Sequence, residues 1–439
     1  MKMLRVCMAI LALGGSGTVL SAEIDAGYKR KLAEVIEGNL DTWVTQYKDF
    51  HQNPELGMEE VRTSAILARE MRKLGFTVTE KVGKTGVVAL MKNGEGPLVM
   101  VRTDMDALPV RESTGLPYAS KAKAIYNGGQ SHVMHACGHD IHMAAWVGAA
   151  QVLVALKDRW HGALMFVAQP AEEGRGGAQA MLDDGIFARF GLPDHAFALH
   201  VGAGPYDTVS LVKGDMNSFA GGFNITFNGR GGHGSRPHAT IDPIVMVGKF
   251  ITDVQTVISR EKDPQAFGVV SIGMIAGGTA GNVIPDSASV SGTVRWYESE
   301  VGEQLLAGIE RTARTIVAQA GAPEADIAIR SGNTNVVNDA ALYDRTFQAF
   351  SRMDGQMRTV AGKRGTASED YGLFLREFKS SMYFGVGGYD PALFKPDGTP
   401  LDVEKVVSNH NPNFAPVPGP TLSTAVTAMT TAVFNVMND

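Results

Sequence analysis

Cys137 and His139 stand two residues apart in the stretch His135-Ala136-Cys137-Gly138-His139-Asp140-Ile141-His142-Met143. On an extended or tightly turned segment that spacing lets a thiolate and an imidazole face one point. The pair suits a borderline-soft divalent cation such as zinc, and imidazole also suits manganese, nickel or cobalt. Taken alone, it fits a buried cysteine beside loop histidines equally well. A second stretch, Gln169-Pro170-Ala171-Glu172-Glu173-Gly174, weighs toward the metal. It follows the apolar run 164–168, which reads as a strand. Two adjacent carboxylates at a strand's end repel each other and neither belongs in a core. The plain alternative is a solvated turn; the chemical one is that one carboxylate binds the cation while the other takes a proton.

Several elements must position these groups. The small apolar run 144–150 predicts a packed helix directly after the Cys137 turn, so the cation would sit where a loop enters a buried helix. Residues 97–101 form a continuous apolar run, the mark of a strand buried on both faces. That run ends in Arg102-Thr103-Asp104-Met105-Asp106, and polar groups just past the carboxyl end of such a strand are where ligands bind in open α/β sheets. Asp104 is therefore a candidate, with helix capping or turn formation as its alternative. A strand over 196–201 would bring His200 to the same sheet edge as Glu173. His410, in the proline-bounded loop Asn409-His410-Asn411-Pro412, is a further candidate ligand. Helices are predicted over 25–48, from the face Ile36, Leu40 and Trp43, and over 59–74, ending at Gly75.

From about Lys213 the pattern changes. Strands over 223–227, 267–275, 287–295 and 326–330, with helices over 243–259 and 300–320, follow the order β-α-β-β-α-β of a ferredoxin-like unit. After Asn338 the earlier pattern resumes. The expected division is a leader at 1–22, a catalytic domain in two parts, 23–212 and 333–439, and an inserted satellite domain at 213–332. Within the insertion, Gly229-Arg230-Gly231-Gly232-His233-Gly234 matches G-x-G-x-x-G, but a dinucleotide loop should open a helix directly and carry an acid about 20 residues on. Here Pro237-His238 intervenes, so the run reads as a tight turn presenting His233. Asn282, in the second glycine-rich loop 277–285, and Arg295 are candidates to grip a substrate carboxylate, a bidentate task that arginine suits. A surface strand charge is the alternative for Arg295.

Whole-chain features set the bounds. The length of 439 residues implies more than one domain, and 44% apolar with 20% charged residues is ordinary for a globular enzyme. Net charge is −6 and no basic block exists, which argues against a nucleic-acid partner. Lys2 and Arg5, a short apolar run interrupted by Gly14-Gly15-Ser16-Gly17, and Ser21-Ala22 form a secretory signal pattern too short and glycine-rich to span a membrane well. A secreted, bacterial periplasmic protein is expected, with no membrane partner once the leader is removed. Cys7 lies in the leader, so the mature chain would keep Cys137 alone and form no internal disulfide.

Assembled in order, the motifs resemble the hippurate hydrolase and indole-acetyl-amino-acid hydrolase group of amidohydrolases, within the aminoacylase and metallo-carboxypeptidase superfamily. The carriers are Arg102-Thr103-Asp104-Met105-Asp106-Ala107-Leu108-Pro109, His135 to Asp140, Gln169 to Glu173, Gly231-Gly232-His233-Gly234, Asn282-Val283-Ile284-Pro285, Ser368-Glu369-Asp370 and His410-Asn411-Pro412. The resemblance implies an α/β fold: a mixed-sheet di-metal hydrolase domain interrupted by the ferredoxin-like satellite domain. It implies two divalent ions (manganese, zinc, nickel or cobalt) held by Cys137, His139, Glu173, His200 and His410. Glu172 would be the general base and His233, from the satellite domain of a partner subunit, would stabilise the oxyanion. Arg102 stands where the wider superfamily often has a ligand histidine, and Asp104 would support the ligands from behind. The implied reaction is hydrolysis of N-acyl amino acids, aromatic or aliphatic, to a carboxylic acid and an amino acid, by a homodimer joined through the satellite domain. Action on small peptides, as a dipeptidase or carboxypeptidase, is the nearest alternative. A binding protein without catalysis would have no need of adjacent Glu172 and Glu173, and a hydrolase using Cys137 as nucleophile would survive chelation.

Overall fold

The structure, a computed structural model, describes residues 24–332, 335–353 and 355–437. The leader expected at 1–22 lies outside the described residues. The chain opens with two helices, α1 (Ala26–Gln52) and α2 (Val61–Lys73). Asp25 starts α1 by accepting the Tyr28 N–H at 2.7 Å, as an N-cap carboxylate should. Strands β1 (Thr77–Val82), β2 (Gly86–Asn93) and β3 (Leu98–Asp104) follow. Then come α3 (His139–Ala155), β4 (Gly162–Gln169), α4 (Gly177–Asp183), β5 (His195–Pro205) and β6 (Thr208–Leu211).

The next elements are β7 (Phe219–Asn228), α5 (Pro243–Thr256), β8 (Gly268–Gly277), β9 (Ser287–Trp296), α6 (Ser299–Ala320) and β10 (Asp326–Ser331). Their order is β-α-β-β-α-β, and they form an antiparallel sheet arranged β8-β9-β7-β10. The helix expected over 243–259 ends at Thr256. A wider turn, Val257–Glu261, replaces its last stretch, closed by Lys262 N–H donating to the Val257 carbonyl five residues back. The chain then finishes with α7 (Ala340–Ser351), β11 (Arg358–Ala361), β12 (Ser381–Tyr389) and α8 (Pro418–Phe434).

The first and last parts share one eight-stranded mixed sheet, ordered β1-β2-β4-β3-β5-β12-β6-β11. Strands β4, β3, β5 and β12 run parallel at its centre. That explains their nearly unbroken burial, since a central parallel strand has helices or loops on both faces. Helix α3 is buried almost all round between α1 and α8, which accounts for its small apolar composition. The antiparallel sheet has a separate core around Phe223, Phe227, Phe250, Trp296 and Leu305. Two consequences matter for function. The carboxyl ends of β3, β4 and β5 lie side by side, so the segments after them converge. Among the described residues no helix is long and apolar enough to cross a membrane.

Candidate active site

Asp104 ends β3, Gln169 ends β4 and His200 lies on β5, while Cys137 sits in the turn before α3. That turn depends on Gly138, whose φ is +85°, a left-handed value that costs a side chain; an added Cβ would also lie 2.4 Å from Val201. With the turn so made, Cys137 and His139 face the same point. The Cys137 Sγ lies 3.4 Å from His200 Nε2.

The hydrogen bonds fix which ring atoms remain free. His139 Nδ1–H donates to the Asp106 carbonyl at 2.8 Å, and its buried Nε2 has no partner among the described residues. His200 Nδ1–H donates to the Val201 carbonyl at 2.8 Å, leaving Nε2 for the site. His142 looks like a ligand by type but is not free: its Nε2 accepts the Val201 N–H at 2.8 Å, so its Nδ1–H donates to Asp104 at 2.6 Å. Asp104 uses its other oxygen on Arg102, 2.7 Å away, so its side chain bridges His142 and Arg102.

The ligand atoms form overlapping trios whose members lie within 4.8 Å of one another: Cys137, His139 and His200; Cys137, Glu173 and His410; His139, Glu172 and Glu173. His410 Nε2 is 3.1 Å from Glu173 Oε1, close enough for an ion pair though not aligned as a hydrogen bond. The His410 loop is tied down through backbone groups and Asn409. Asn409 donates to the carbonyls of Cys137 (2.8 Å) and Val201 (3.0 Å), and His410 N–H donates to the Ala136 carbonyl at 2.7 Å. His410 itself takes a φ of +68°, a strained value for a side-chain-bearing residue and one that clusters at functional sites in general.

The electrostatics favour a cation. Burial and the carboxylates Glu173 and Glu172 push the Cys137 thiol well above its usual range. Burial, then His142, pushes His200 down to about 3, which keeps it neutral. A thiol raised in this way beside so weak a base is poorly suited to be a nucleophile, but a divalent cation would convert the same thiol into a thiolate ligand. Burial, followed by Glu369, Glu173 and Asp370, lifts Glu172 well above the ordinary carboxylate range. Glu173 moves the other way: burial would raise it, but His410 and His139 outweigh that. Two adjacent glutamates are thereby given opposite protonation preferences. The orphaned His139 Nε2 and the convergent thiol, imidazole and carboxylate groups form a donor set that fits divalent metal.

The site opens into a cavity of about 1110 Å³. Cys137, Glu172, Glu173, His200 and His410 line one end; Arg295 lines it from β9. Arg295 is half-buried, and among the described residues no carboxylate lies within ion-pair distance of it. Its Nη1 donates only to the Val294 carbonyl, at 3.1 Å. His233 and Asn282 are not brought to this cavity within one chain. They lie together on an exposed ribbon, Gly232–His233 paired with Val283–Ile284, which does not open directly into a helix. His233 Nδ1 accepts the Ser235 N–H at 3.1 Å, so its exposed Nε2 carries the ring proton.

Behind the Cys137 turn, buried His51 bridges Asp140 (Nδ1, 2.6 Å) and Glu112 (Nε2, 3.1 Å). Burial works against its charge, but the bonds to Asp140 and Glu112 win and push its pKa up from 6.5 to about 10. A pKa raised on folding gives stability that is complete below the unfolded value and disappears as pH rises through the folded one. His51 therefore stabilises fully below about pH 6.5 and ceases to do so above about pH 10. Metal-loaded protein should lose stability across that window, and His51→Gln should flatten the loss. Urea midpoints of both proteins across the window check this; parallel pH curves would reject it.

A model of peptidase family M20/M25/M40 matches residues 100–397. Hippurate hydrolase of Campylobacter jejuni is 39% identical over 342 residues, covering 76% of this chain and 84% of its own. Thermostable carboxypeptidase 2 of Saccharolobus solfataricus is 35% identical over 356 residues, covering 79% of this chain and 86% of its own. Among solved structures, a Bacillus subtilis protein described as a dinuclear metal-binding peptidase of the M20 family superposes with a TM-score of 0.71 at 27% identity. That match covers 90% of this chain and 98% of the other.

Proposed function

The chain belongs to peptidase family M20/M25/M40 and is a metal-dependent amidohydrolase; we propose that it cleaves the amide bond of N-acyl amino acids, releasing a carboxylic acid and a free amino acid. The observation that carries the reading is the buried, partnerless Nε2 of His139 at the meeting point of Cys137, His200, Glu172 and Glu173. In this proposal Cys137, His139, Glu173, His200 and His410 hold two divalent ions, with Cys137 common to two of the ligand trios. When bound, the ions would acidify a water and polarise the substrate carbonyl. Glu172 would serve as the general base, taking a proton from the attacking water and returning it to the departing amine. Arg295 takes the substrate's carboxylate, which explains an unpaired guanidinium on the cavity wall.

His233 and Asn282 need a second copy to reach a cavity. Strand β8 is one of the two edges of the antiparallel sheet and exposes Val269, Met274 and Ile275 along it. Pairing two such edges would make a homodimer in which His233 of the partner subunit donates its Nε2–H to the oxyanion. The leader pattern at 1–22 supports export to the periplasm, and the change of pattern at 213 and 333 supports treating the antiparallel sheet as a satellite domain.

A carboxypeptidase or dipeptidase activity is the second reading, favoured by the similarity to thermostable carboxypeptidase 2. The test is amino-acid release from benzoyl, acetyl and indole-acetyl amino acids and from dipeptides, before and after chelation and with each metal restored. Release that stops with chelator and returns with one metal, fastest on an N-acyl amino acid, is expected. Dipeptides cleaved faster would select the second reading, and activity in metal-free protein would reject both.

A further inference from the structure

The turn that carries both glutamates is held by two buried carboxylates from other segments. We propose that Asp106 and Glu60 are positioning residues that set Glu172 and Glu173 in place through the turn's three consecutive backbone amides. The inference rests on the reading of Glu172 as the base and Glu173 as a ligand.

After β4 ends at Gln169, the chain turns sharply through Ala171, whose φ is +50°. Alanine is disfavoured there, and the strained conformation turns the following amides away from the sheet. Buried N–H groups must find acceptors, and these find carboxylates. Ala171 N–H donates to Glu60 Oε1 at 2.8 Å, Glu172 N–H to Asp106 Oδ1 at 3.1 Å, and Glu173 N–H to Asp106 Oδ2 at 2.9 Å. Glu60 is fully buried and its second oxygen takes the Thr85 hydroxyl at 2.6 Å. Behind the turn, Gly177 N–H donates to the Ala171 carbonyl at 3.1 Å. No side chain fits at Gly177, because its Cβ would fall 1.5 Å from the Pro170 carbonyl oxygen.

Asp106 does two things at once. Its side chain holds the glutamate turn, and its backbone carbonyl accepts His139 Nδ1–H at 2.8 Å. One residue therefore anchors both a ligand ring and the base relative to each other. The chemistry is sensitive to such placement: a shift of about 1 Å in a reacting group can cost roughly a hundredfold in rate.

Asp106→Asn keeps the backbone carbonyl for His139, although it changes the carboxylate oxygen 3.3 Å from His139 Nδ1, and it offers only one side-chain oxygen for two amides. With metal-loaded protein and N-benzoylglycine, kcat should fall about 10- to 100-fold while KM stays within about twofold and metal content is unchanged. Glu60→Gln keeps an acceptor for Ala171 and a donor for Thr85, so it should retain near-normal kcat, whereas Glu60→Ala should behave like Asp106→Asn. Unchanged kcat in either Asp106→Asn or Glu60→Ala, or loss of metal in place of a fall in kcat, would overturn the inference. Glu172→Gln measured in parallel distinguishes the two levels. An inactive Glu172→Gln beside a fully active Asp106→Asn rejects positioning alone; a fully active Glu172→Gln removes the base assignment and the positioning argument with it.

Discussion

Glutamine at position 172 should lower kcat on N-benzoylglycine by about 10²- to 10⁴-fold, the range a general base supplies, while the protein still holds its metal. The substitution preserves shape, and the Glu172 N–H still reaches Asp106, so the turn survives. What is lost is the ability to take a proton. Stability should not fall. Glu172 lies among Glu369 and Asp370, with carboxyl oxygens of the three within 4.8 Å of one another, and a neutral amide relieves that crowding of like charges. The neighbouring position should respond differently. Glu173 lies beside His410 and within reach of Cys137, so Glu173→Gln should lose metal and activity together. Metal analysis and kcat, taken on both variants, check the assignment. Near-normal turnover in metal-loaded Glu172→Gln would place the base elsewhere; metal loss from Glu172→Gln would make it a ligand.

The candidate metal ligands were legible because their residue types are out of place elsewhere. A thiol and an imidazole before a buried helix, paired glutamates at a strand's end and a histidine at the edge of an apolar strand are hard to explain as packing. The sheet was legible for a related reason: β3, β4 and β5 are apolar on both faces because the fold buries both. What stayed hidden works through the backbone. Asp106 and Asn409 act on N–H and carbonyl groups, which carry no residue-type signature, and Glu60 stands before α2 where an acid reads as solvated. His142 shows the opposite limit. It has the type and spacing of a ligand, and only its partners, Asp104 and the Val201 amide, reveal that both nitrogens are used. His233 and Asn282 stand out by motif, yet within one chain they lie on an exposed ribbon away from the cavity, which spacing along the chain does not reveal.

Arg102 is the last case, because its partner Glu369 is 267 residues away in sequence. The guanidinium is fully buried. It donates to Asp104 at 2.7 Å, to Glu369 at 2.8 Å and to the Gln169 side chain at 2.9 Å, with Asp370 at 3.7 Å. Its donors are therefore spent on protein groups, and it does not reach for substrate. It acts as the counter-charge for acidic groups crowded behind the site. Arg102→Met should cost about 3–5 kcal/mol, the usual penalty for leaving buried charge unpaired. Among the described residues, Asp104 would keep the His142 hydrogen bond and His139 Nδ1 at 3.8 Å, and Glu369 would keep the Tyr383 hydroxyl and the Tyr371 amide. The loss should be read from urea midpoints of metal-loaded protein. A second substitution tells repulsion from lost packing: adding Glu369→Gln to Arg102→Met removes one unpaired charge and should recover part of the loss, although Glu369→Gln alone should be destabilising. A double variant no more stable than Arg102→Met would mean that the guanidinium contributes packing and hydrogen bonds, and that charge balance is not its main role.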